Sequence, residues 1–578
     1  MTSGIQIKGQ GVSAGIGLGK AFIYTKQEIT VPEAKAVNPK IEMGLLDWAL
    51  TRIIEETDTI LQRARTEENA TRAEIIDAYS MILTDPEILS ESRRLIEEES
   101  CNAAYAVEKG INQIVQIFEE MDDAYMRERA FDIRDIKDRI LMAILGITVK
   151  DISKLPPNTV LVARDLTTSD TAGMDVKNVS GILTRIGGKN SHTSIMARNF
   201  SIPAVVGVGD NLGLIQDGDD VVFNGTTGSI VIRPDSKTYQ KSLAQRAEFL
   251  REKALLDAFK GKDSITADGR KVEICSNIGT TGETSFVLDS TADGIGLFRS
   301  EFLYLDRNAI PTEAEQVEAY KSVLMALEDK PVIVRTLDIG GDKDLPSMNL
   351  AKEDNPFLGY RAIRICLDRP ELFKTQLRAL LRASAYGNLQ IMFPMISSVS
   401  ELRAAKAVLE ECKTELTALG VTFKADVPVG IMIEIPAAAV MSDILAKECD
   451  FFSIGTNDLI QYTVAVDRGN EKVANLYSQY NPAVLRLIKL TIESAHDNQI
   501  MCGMCGEAAG DPLLIPALLG MGLDEFSMSS GSVLRSRKII SMLNTQEARQ
   551  LVSEIVNLPT TEEVEQSLIG FAETHGLA

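Results

Sequence analysis

Hydrophobic positions along the chain change their spacing several times. Over residues 5–25 and 158–235 they fall in short Val-, Ile- and Gly-rich pieces such as Thr159-Val-Leu-Val-Ala163, Gly181-Ile-Leu-Thr184 and Val221-Val-Phe223, which predict strands. From Ile41 to Gly146 the pattern is helical. Pro86 is the one proline there, Gly44 and Gly110 are the only glycines before the end, and apolar residues recur as in Ile75, Ile76, Tyr79, Ile82 and Leu83. Asp85-Pro86 reads as an N-cap and first helical position, so the stretch predicts several antiparallel helices inserted into an α/β domain. Residues 236–262 are charged, free of Gly and Pro until Gly261 and weakly amphipathic, and predict a connecting helix. Beyond them lie eight short apolar runs, at 272–277, 294–298, 331–336, 389–394, 429–434, 451–455, 500–505 and 523–528, with helical patterns filling most gaps. Eight strands alternating with helices predict a (β/α)₈ barrel.

Composition narrows the function classes. The 578 residues carry 60 Lys and Arg against 82 Asp and Glu, a net charge of −22, so no overall field draws the chain to nucleic acid or anionic lipid. Residues 31–147 hold 25 acidic and 14 basic side chains, half of that deficit; the stretch is either a solvated acidic bundle or a docking surface for a basic protein. No run predicts a membrane span, and the start, Met-Thr-Ser-Gly-Ile-Gln-Ile-Lys, lacks the features of a signal peptide, so the expected location is the cytoplasm. Seven scattered cysteines read as reduced thiols, and Cys502-Gly-Met-Cys505 lacks the second pair that a zinc ribbon needs.

In such a barrel, chemistry is expected at strand C-termini, and those of this chain are rich in polar residues: Arg299 and Glu301, Arg335 and Asp338, Glu434, Asn457 and Asp458, Cys505 and Glu507, and Ser527-Met-Ser-Ser530. Glu434 and Asp458 end successive strands and can converge on one rim, where two carboxylates plus substrate oxygens hold Mg²⁺; Mn²⁺ suits the same ligands. Arg299, Arg335, Arg361 and Arg468 lie near strand ends or following loops, and guanidinium forks suit phosphate and carboxylate. Together these residues predict a site for a small phosphorylated acid. Cys505 is either a buried apolar filler or a proton donor to a carbanion. Of three histidines, His575 sits in a tail and His496 within a helix, whereas His192 follows Gly187-Gly-Lys-Asn-Ser191 and opens a helical pattern. A helix N-terminus disfavours the protonated ring and favours an attached anion, so a neutral nucleophile that carries phosphate fits; a structural hydrogen-bonded histidine stays open. A P-loop is excluded, because position 183 is Leu and position 190 is Asn.

Gly187-Gly-Lys-Asn-Ser-His-Thr-Ser-Ile-Met-Ala-Arg198 with Pro203-Ala-Val-Val-Gly207 resembles the phosphohistidine signature of the phosphoenolpyruvate-utilising enzymes, and Asp450-Phe-Phe-Ser-Ile-Gly-Thr-Asn-Asp-Leu459 with Gly503-Met-Cys-Gly-Glu507 resembles their second signature. The likeness is to their Enzyme I branch, of the bacterial sugar phosphotransferase system. It extends over essentially the whole chain, through Gly294-Ile-Gly-Leu-Phe-Arg-Ser-Glu-Phe302, Arg335-Thr-Leu-Asp-Ile-Gly-Gly-Asp-Lys343 and Asn355-Pro-Phe-Leu-Gly-Tyr-Arg-Ala-Ile-Arg364. The resemblance implies an α/β swivelling phosphohistidine domain at 1–30 and 148–235, a helical HPr-binding insertion at 31–147, a linker helix at 236–262, and a phosphoenolpyruvate-binding, dimer-forming barrel at 263–578. It implies that His192 takes the phosphoryl group of phosphoenolpyruvate, releasing pyruvate, and passes it to the phosphocarrier HPr. By the same resemblance Glu434 and Asp458 ligate Mg²⁺. Arg299, Arg335 and Arg468 with Asn457 hold the substrate, Arg361 lines its site, Cys505 protonates the enolate, and Thr171 hydrogen-bonds the resting histidine.

Two departures from the family pattern stand out: Lys189-Asn190 stands where Arg-Thr is usual, and Ser300 where Thr is usual before Glu-Phe. About 190 residues before His192 are too few for the nucleotide-binding domain of the dikinase branch, and no sensory domain is expected ahead of residue 1. Two other readings of the residues are a Mg²⁺-dependent barrel lyase or aldolase acting on a pyruvate-like enolate, which would leave His192 idle, and a catalytically silent partner-binding protein.

Overall fold

A computed structural model describes residues 4–25, 29–31, 35, 38–66, 70–120, 124–147, 150–188, 191–305, 309–341, 348, 350–351, 353–468, 470 and 472–577. Residues 63–64, 66, 70–75, 78, 120, 124–128, 168, 172, 192, 195 and 199 are described by their backbone alone. The chain divides into two compact units, Met1–Lys253 and Ala254–Ala578.

The first unit holds an eight-stranded sheet and a helical bundle. Strands β1 (Ile5–Lys8), β2 (Gln10–Ser13), β3 (Ile16–Tyr24), β4 (Thr159–Ala163), β5 (Val179–Thr184), β6 (Ala204–Val206), β7 (Asp220–Asn224) and β8 (Ser229–Ile232) are ordered β1-β8-β7-β3-β4-β5-β6-β2. The central β3, β4, β5 and β6 run parallel; they bury both faces and therefore read as continuous apolar runs rather than alternations. Between β3 and β4 come the helices Pro39–Thr66, Ala70–Leu83, Ser90–Glu97, Ala103–Glu120 and Ala124–Leu145, closed on their own apolar core. Asp85 caps a short 3₁₀ turn, Pro86–Leu89, accepting a hydrogen bond from the Glu87 N–H at 2.9 Å, before the α-helix restarts at Ser90. The helix Ser236–Asp257 joins the two units; no residue along it is buried, which accounts for its weak hydrophobic pattern.

The second unit is the barrel that the eight apolar runs predict. Strands β9 (Glu273–Ile278), β10 (Ile295–Arg299), β11 (Pro331–Arg335), β12 (Asn388–Phe393), β13 (Val429–Ile433), β14 (Phe451–Ile454), β15 (Met501–Met504) and β16 (Glu525–Met528) are all parallel, and β16 pairs with β9 to close it. Leu297, Ile333, Met392, Met432, Phe451 and Cys505 fill the interior. No helix among the described residues is long and apolar enough to cross a membrane.

One interior group makes the barrel sensitive to pH. Glu525 is 1% exposed, and a Cβ on Gly296 or Gly503 would come within 2.1 Å of its carboxylate oxygens, so two glycines make room for it. Burial, reinforced by the Glu273 carboxylate and only partly offset by the neighbouring Cys275 thiol, pushes its pKa up to about 8. The folded chain thus keeps a proton that the unfolded chain loses near 4.5, so this contribution to stability falls as pH rises between about 4.5 and 8 and is level above. Glu525→Gln is expected to flatten the fall in stability by up to about 1.4 kcal/mol per pH unit. Urea melts at pH 5 to 8 check this, and parallel curves for the two proteins would contradict it.

Candidate active site

The barrel delivers its polar residues to the C-terminal rim. Arg335 is the last residue of β11 and is 6% exposed; its Nη2 donates to Glu301 Oε1 at 2.6 Å, and its Nη1 lies 3.0 Å from Asp338 Oδ2. Arg361, 3% exposed, forks twice. Its Nε and Nη2 donate to the two oxygens of Asp338 at 3.0 and 3.1 Å, and its Nη1 and Nη2 to those of Asp458 at 3.2 and 2.9 Å. Its Nη1 also lies 3.1 Å from the Tyr462 hydroxyl. Asp338 therefore bridges two buried guanidiniums. Gly340, at φ +104°, permits this: a Cβ there would lie 2.7 Å from the Tyr360 carbonyl oxygen and 3.0 Å from the Arg361 Cα.

Glu434 follows β13, is 1% exposed, and accepts the Met395 N–H at 2.6 Å. Asp458 and Asn457 lie in the first turn of the helix Thr456–Val464 that follows β14. Cys505 follows β15 and is buried; the Asn277 amide donates to its carbonyl at 2.9 Å. Next to it, a Cβ on Gly506 would lie 1.7 Å from Thr456 Oγ1, so the glycine lets the β14 and β15 loops meet. Arg299 ends β10 and is exposed at the rim. Arg468 is also exposed, in the loop beyond the Asp458 helix, and its charge bears on the Tyr477 phenol, whose hydroxyl donates to the Asn457 carbonyl at 3.2 Å. The structure thus brings Arg335, Arg361, Glu434, Asp458 and Cys505 into one buried cluster, with Arg299, Asn457 and Arg468 at its open side.

The electrostatics follow from burial and crowding. Burial alone would lower the pKa of Arg335 and Arg361, but the surrounding carboxylates outweigh it and hold both well above the ordinary value. Burial also raises the Glu434 pKa, and the charges of Asp458 and Asp338 raise it further against the pull of the two arginines. Cys505 is pushed up to about 11, chiefly by burial, so it stays a thiol at neutral pH. Glu434 and Asp458 offer carboxylate oxygens of the kind that suit a hard divalent cation, which keeps water and substrate oxygens among its ligands. Among the described residues no group of three or more His, Cys, Asp or Glu is arranged to hold a metal, so such an ion would take the rest of its ligands from water and substrate.

His192 belongs to the first unit and is the first residue of the helix His192–Asn199. Ser191 caps that helix and accepts from the Ser194 N–H, Ser194 Oγ donates to the Gly188 carbonyl at 2.7 Å, and Thr193 Oγ1 donates to Asp165 Oδ1 at 2.9 Å. Unpaired amides at such a terminus favour an anion. Thr171 is buried in the helix Thr168–Gly173, which packs against the His192 helix. The His192 side chain, Lys189 and Asn190 lie outside what the structure describes. In the sequence Glu301 and Asp338 read only as polar strand ends; the three-residue step from Arg335 to Asp338 signals that pair, and nothing signals Glu301, 34 residues from Arg335. Tyr462 gave no signal.

Three models of the PEP-utilising enzyme family match this chain: the N-terminal model over residues 8–129, the mobile domain over 155–228 and the PEP-binding domain over 253–545. The phosphoenolpyruvate-protein phosphotransferases of Bacillus subtilis (strain 168) and Staphylococcus carnosus (strain TM300) are each 47% identical to it over 559 residues, 97% of this chain and 98% of theirs. The solution structure of an Enzyme I (nEIt) protein, 37% identical, aligns with 42% of this chain and 99% of its own at a TM-score of 0.39. The chain belongs to the PEP-utilising enzymes and, within them, to the phosphoenolpyruvate-protein phosphotransferases.

Proposed function

We propose that the chain moves the phosphoryl group of phosphoenolpyruvate onto its own His192 and from there to the histidine of HPr, releasing pyruvate, as the first step of sugar uptake by the phosphotransferase system. The observation that carries this is the pair of buried guanidiniums bracketed by Asp338 beside Glu434 and Asp458 at a barrel rim, in a chain whose other unit places a histidine at a helix N-terminus. Arg335, with Arg299 and Arg468 from the open side, binds the phosphate and carboxylate, Asn457 adds an amide, and Arg361 lines the pocket. As the P–O bond breaks and the P–N bond forms, the enolate takes its proton at carbon from Cys505. Glu434 and Asp458 would hold Mg²⁺ or Mn²⁺, which neutralises charge on the transferring phosphoryl group. Thr171 orients the resting histidine.

The domain limits follow the same reading: 1–30 and 148–235 for the phosphohistidine domain, 31–147 for the HPr-binding bundle, 236–262 for the linker, and 263–578 for a barrel that also forms the homodimer in the cytoplasm. Delivery of His192 to the barrel and then to HPr requires the joining helix to let the units move, so a crosslink that locks it should stop turnover. The family relatives do not favour a barrel lyase or a silent binding protein.

Pyruvate release, followed through lactate dehydrogenase, tests the reading. Without HPr the expected yield is one equivalent per active chain; excess HPr adds one equivalent per HPr as the phosphoryl groups pass on to it, and His192→Ala gives neither. Sustained pyruvate from the His192→Ala protein would mean that the barrel works alone.

A further inference from the structure

The helical bundle and the sheet meet at a buried polar cluster that the chemistry above does not use. Asp135, on the bundle helix Ala124–Leu145, is 3% exposed, and its Oδ2 accepts the Ser169 N–H at 3.2 Å. Ser169 lies in the first turn of the helix Thr168–Gly173, so a side chain from the bundle satisfies one of the amides that this helix leaves open at its start. The same turn is fixed from the sheet. Tyr24 of β3 donates its hydroxyl to Asp170 Oδ1 at 2.6 Å, and Asp170 Oδ2 accepts the Thr167 N–H at 2.9 Å. Burial and the nearby Asp170 and Asp135 charges hold the Tyr24 phenol in its protonated, donating form. Around Asp135, Arg139 and Tyr79 complete the cluster from the bundle, with Arg139 also donating to Glu56 at 3.0 Å.

This turn connects directly to the His192 helix. Thr193, fully buried next to His192, donates to Asp165 Oδ1 at 2.9 Å and lies 3.4 Å from the Leu166 carbonyl oxygen. Asp165 Oδ1 also accepts the Leu166 N–H at 2.9 Å. Only two residues separate Leu166, held by the His192 helix, from Ser169, held by the bundle. A helix of six residues has too few internal hydrogen bonds to fix its own orientation, so outside contacts set it.

We infer that Asp135 is a positioning residue for the phosphoryl acceptor: through Ser169 and the loop at 165–167, the helical bundle sets the placement of the His192 helix. This rests on His192 being the acceptor. Phosphoenolpyruvate binds in the other unit, so loss of the contact alters rates at His192 and not substrate affinity.

The test measures both half-reactions in full-length protein by rapid quench: phosphorylation by phosphoenolpyruvate with Mg²⁺, and transfer to HPr. Asp135→Ala is expected to slow both by a similar factor, about tenfold, with KM for phosphoenolpyruvate unchanged. Asp135→Asn keeps the acceptor oxygen and is expected to stay within about twofold of wild type. Asp135→Ser, too short to reach Ser169, substitutes for the alanine variant if that one does not fold. A lower melting temperature with both rates unchanged, or an asparagine variant as slow as alanine, would overturn the inference. Wild-type protein that takes no label on His192 would instead refute the proposed function.

Discussion

Arg335→Met is expected to lower kcat/KM for phosphoenolpyruvate about 10²–10³-fold while phosphoryl exchange between His192 and HPr continues at the wild-type rate. The loss follows from removing a preorganised guanidinium where charge develops on the phosphoryl group. On the proposed function exchange survives, because it would take place at His192, in the other compact unit. The substitution also leaves the buried Glu301 without the cation it faces at 2.6 Å, while Asp338 keeps its fork to Arg361, so the barrel should lose about 3–5 kcal/mol of stability. Arg335→Lys should restore little activity, since a single ammonium cannot face Glu301, Asp338 and the substrate together. Steady-state kinetics, HPr exchange and urea melts check each part. If exchange fell along with turnover, Arg335 would be supporting the fold of the whole chain and not the barrel chemistry.

Cys505→Ala should leave His192 phosphorylation within reach of wild type but slow the formation of pyruvate about 10²-fold, the effect of losing a positioned proton donor. Enolate would then leave the site and pick up its proton from water. In D₂O with chirally labelled substrate, wild type should deliver the proton to one face of the methylene carbon and the variant to both. The pH profile carries the sign: Cys505 donates only as a thiol, its pKa is pushed up to about 11, and its limb of the profile should therefore hold through pH 9 and fall towards 11. A stereospecific alanine variant would show that another group is the acid.

How much of this was legible in the sequence depends on the range of the interactions. Each barrel strand is a local run of four to six residues, so all eight were readable, and the chemistry at their ends was readable because a parallel barrel puts every strand C-terminus on one rim. The bundle announced itself through the scarcity of Gly and Pro. The pairing within the rim did not. Arg361 meets Asp458, 97 residues away, only once β11 to β14 have closed in order, and taken singly each arginine reads as a surface salt-bridge former. The joining helix ends at Asp257 and not 262, because its charged surface gives no periodic pattern to mark an end. Tyr24, Asp135 and Asp170 meet across the boundary between sheet and bundle, and nothing in their local sequence points from one to another.

The measurement that tests the central claim most directly follows the phosphorus itself. Full-length protein is incubated with Mg²⁺ and phosphoenolpyruvate labelled on phosphate, and the label is mapped by peptide mass. The expected result is one acid-labile, alkali-stable phosphoryl group per chain on the peptide containing His192, absent from His192→Ala and lost on adding HPr as the carrier gains it. Label on any other residue, or pyruvate formed with no labelled protein, would contradict the account.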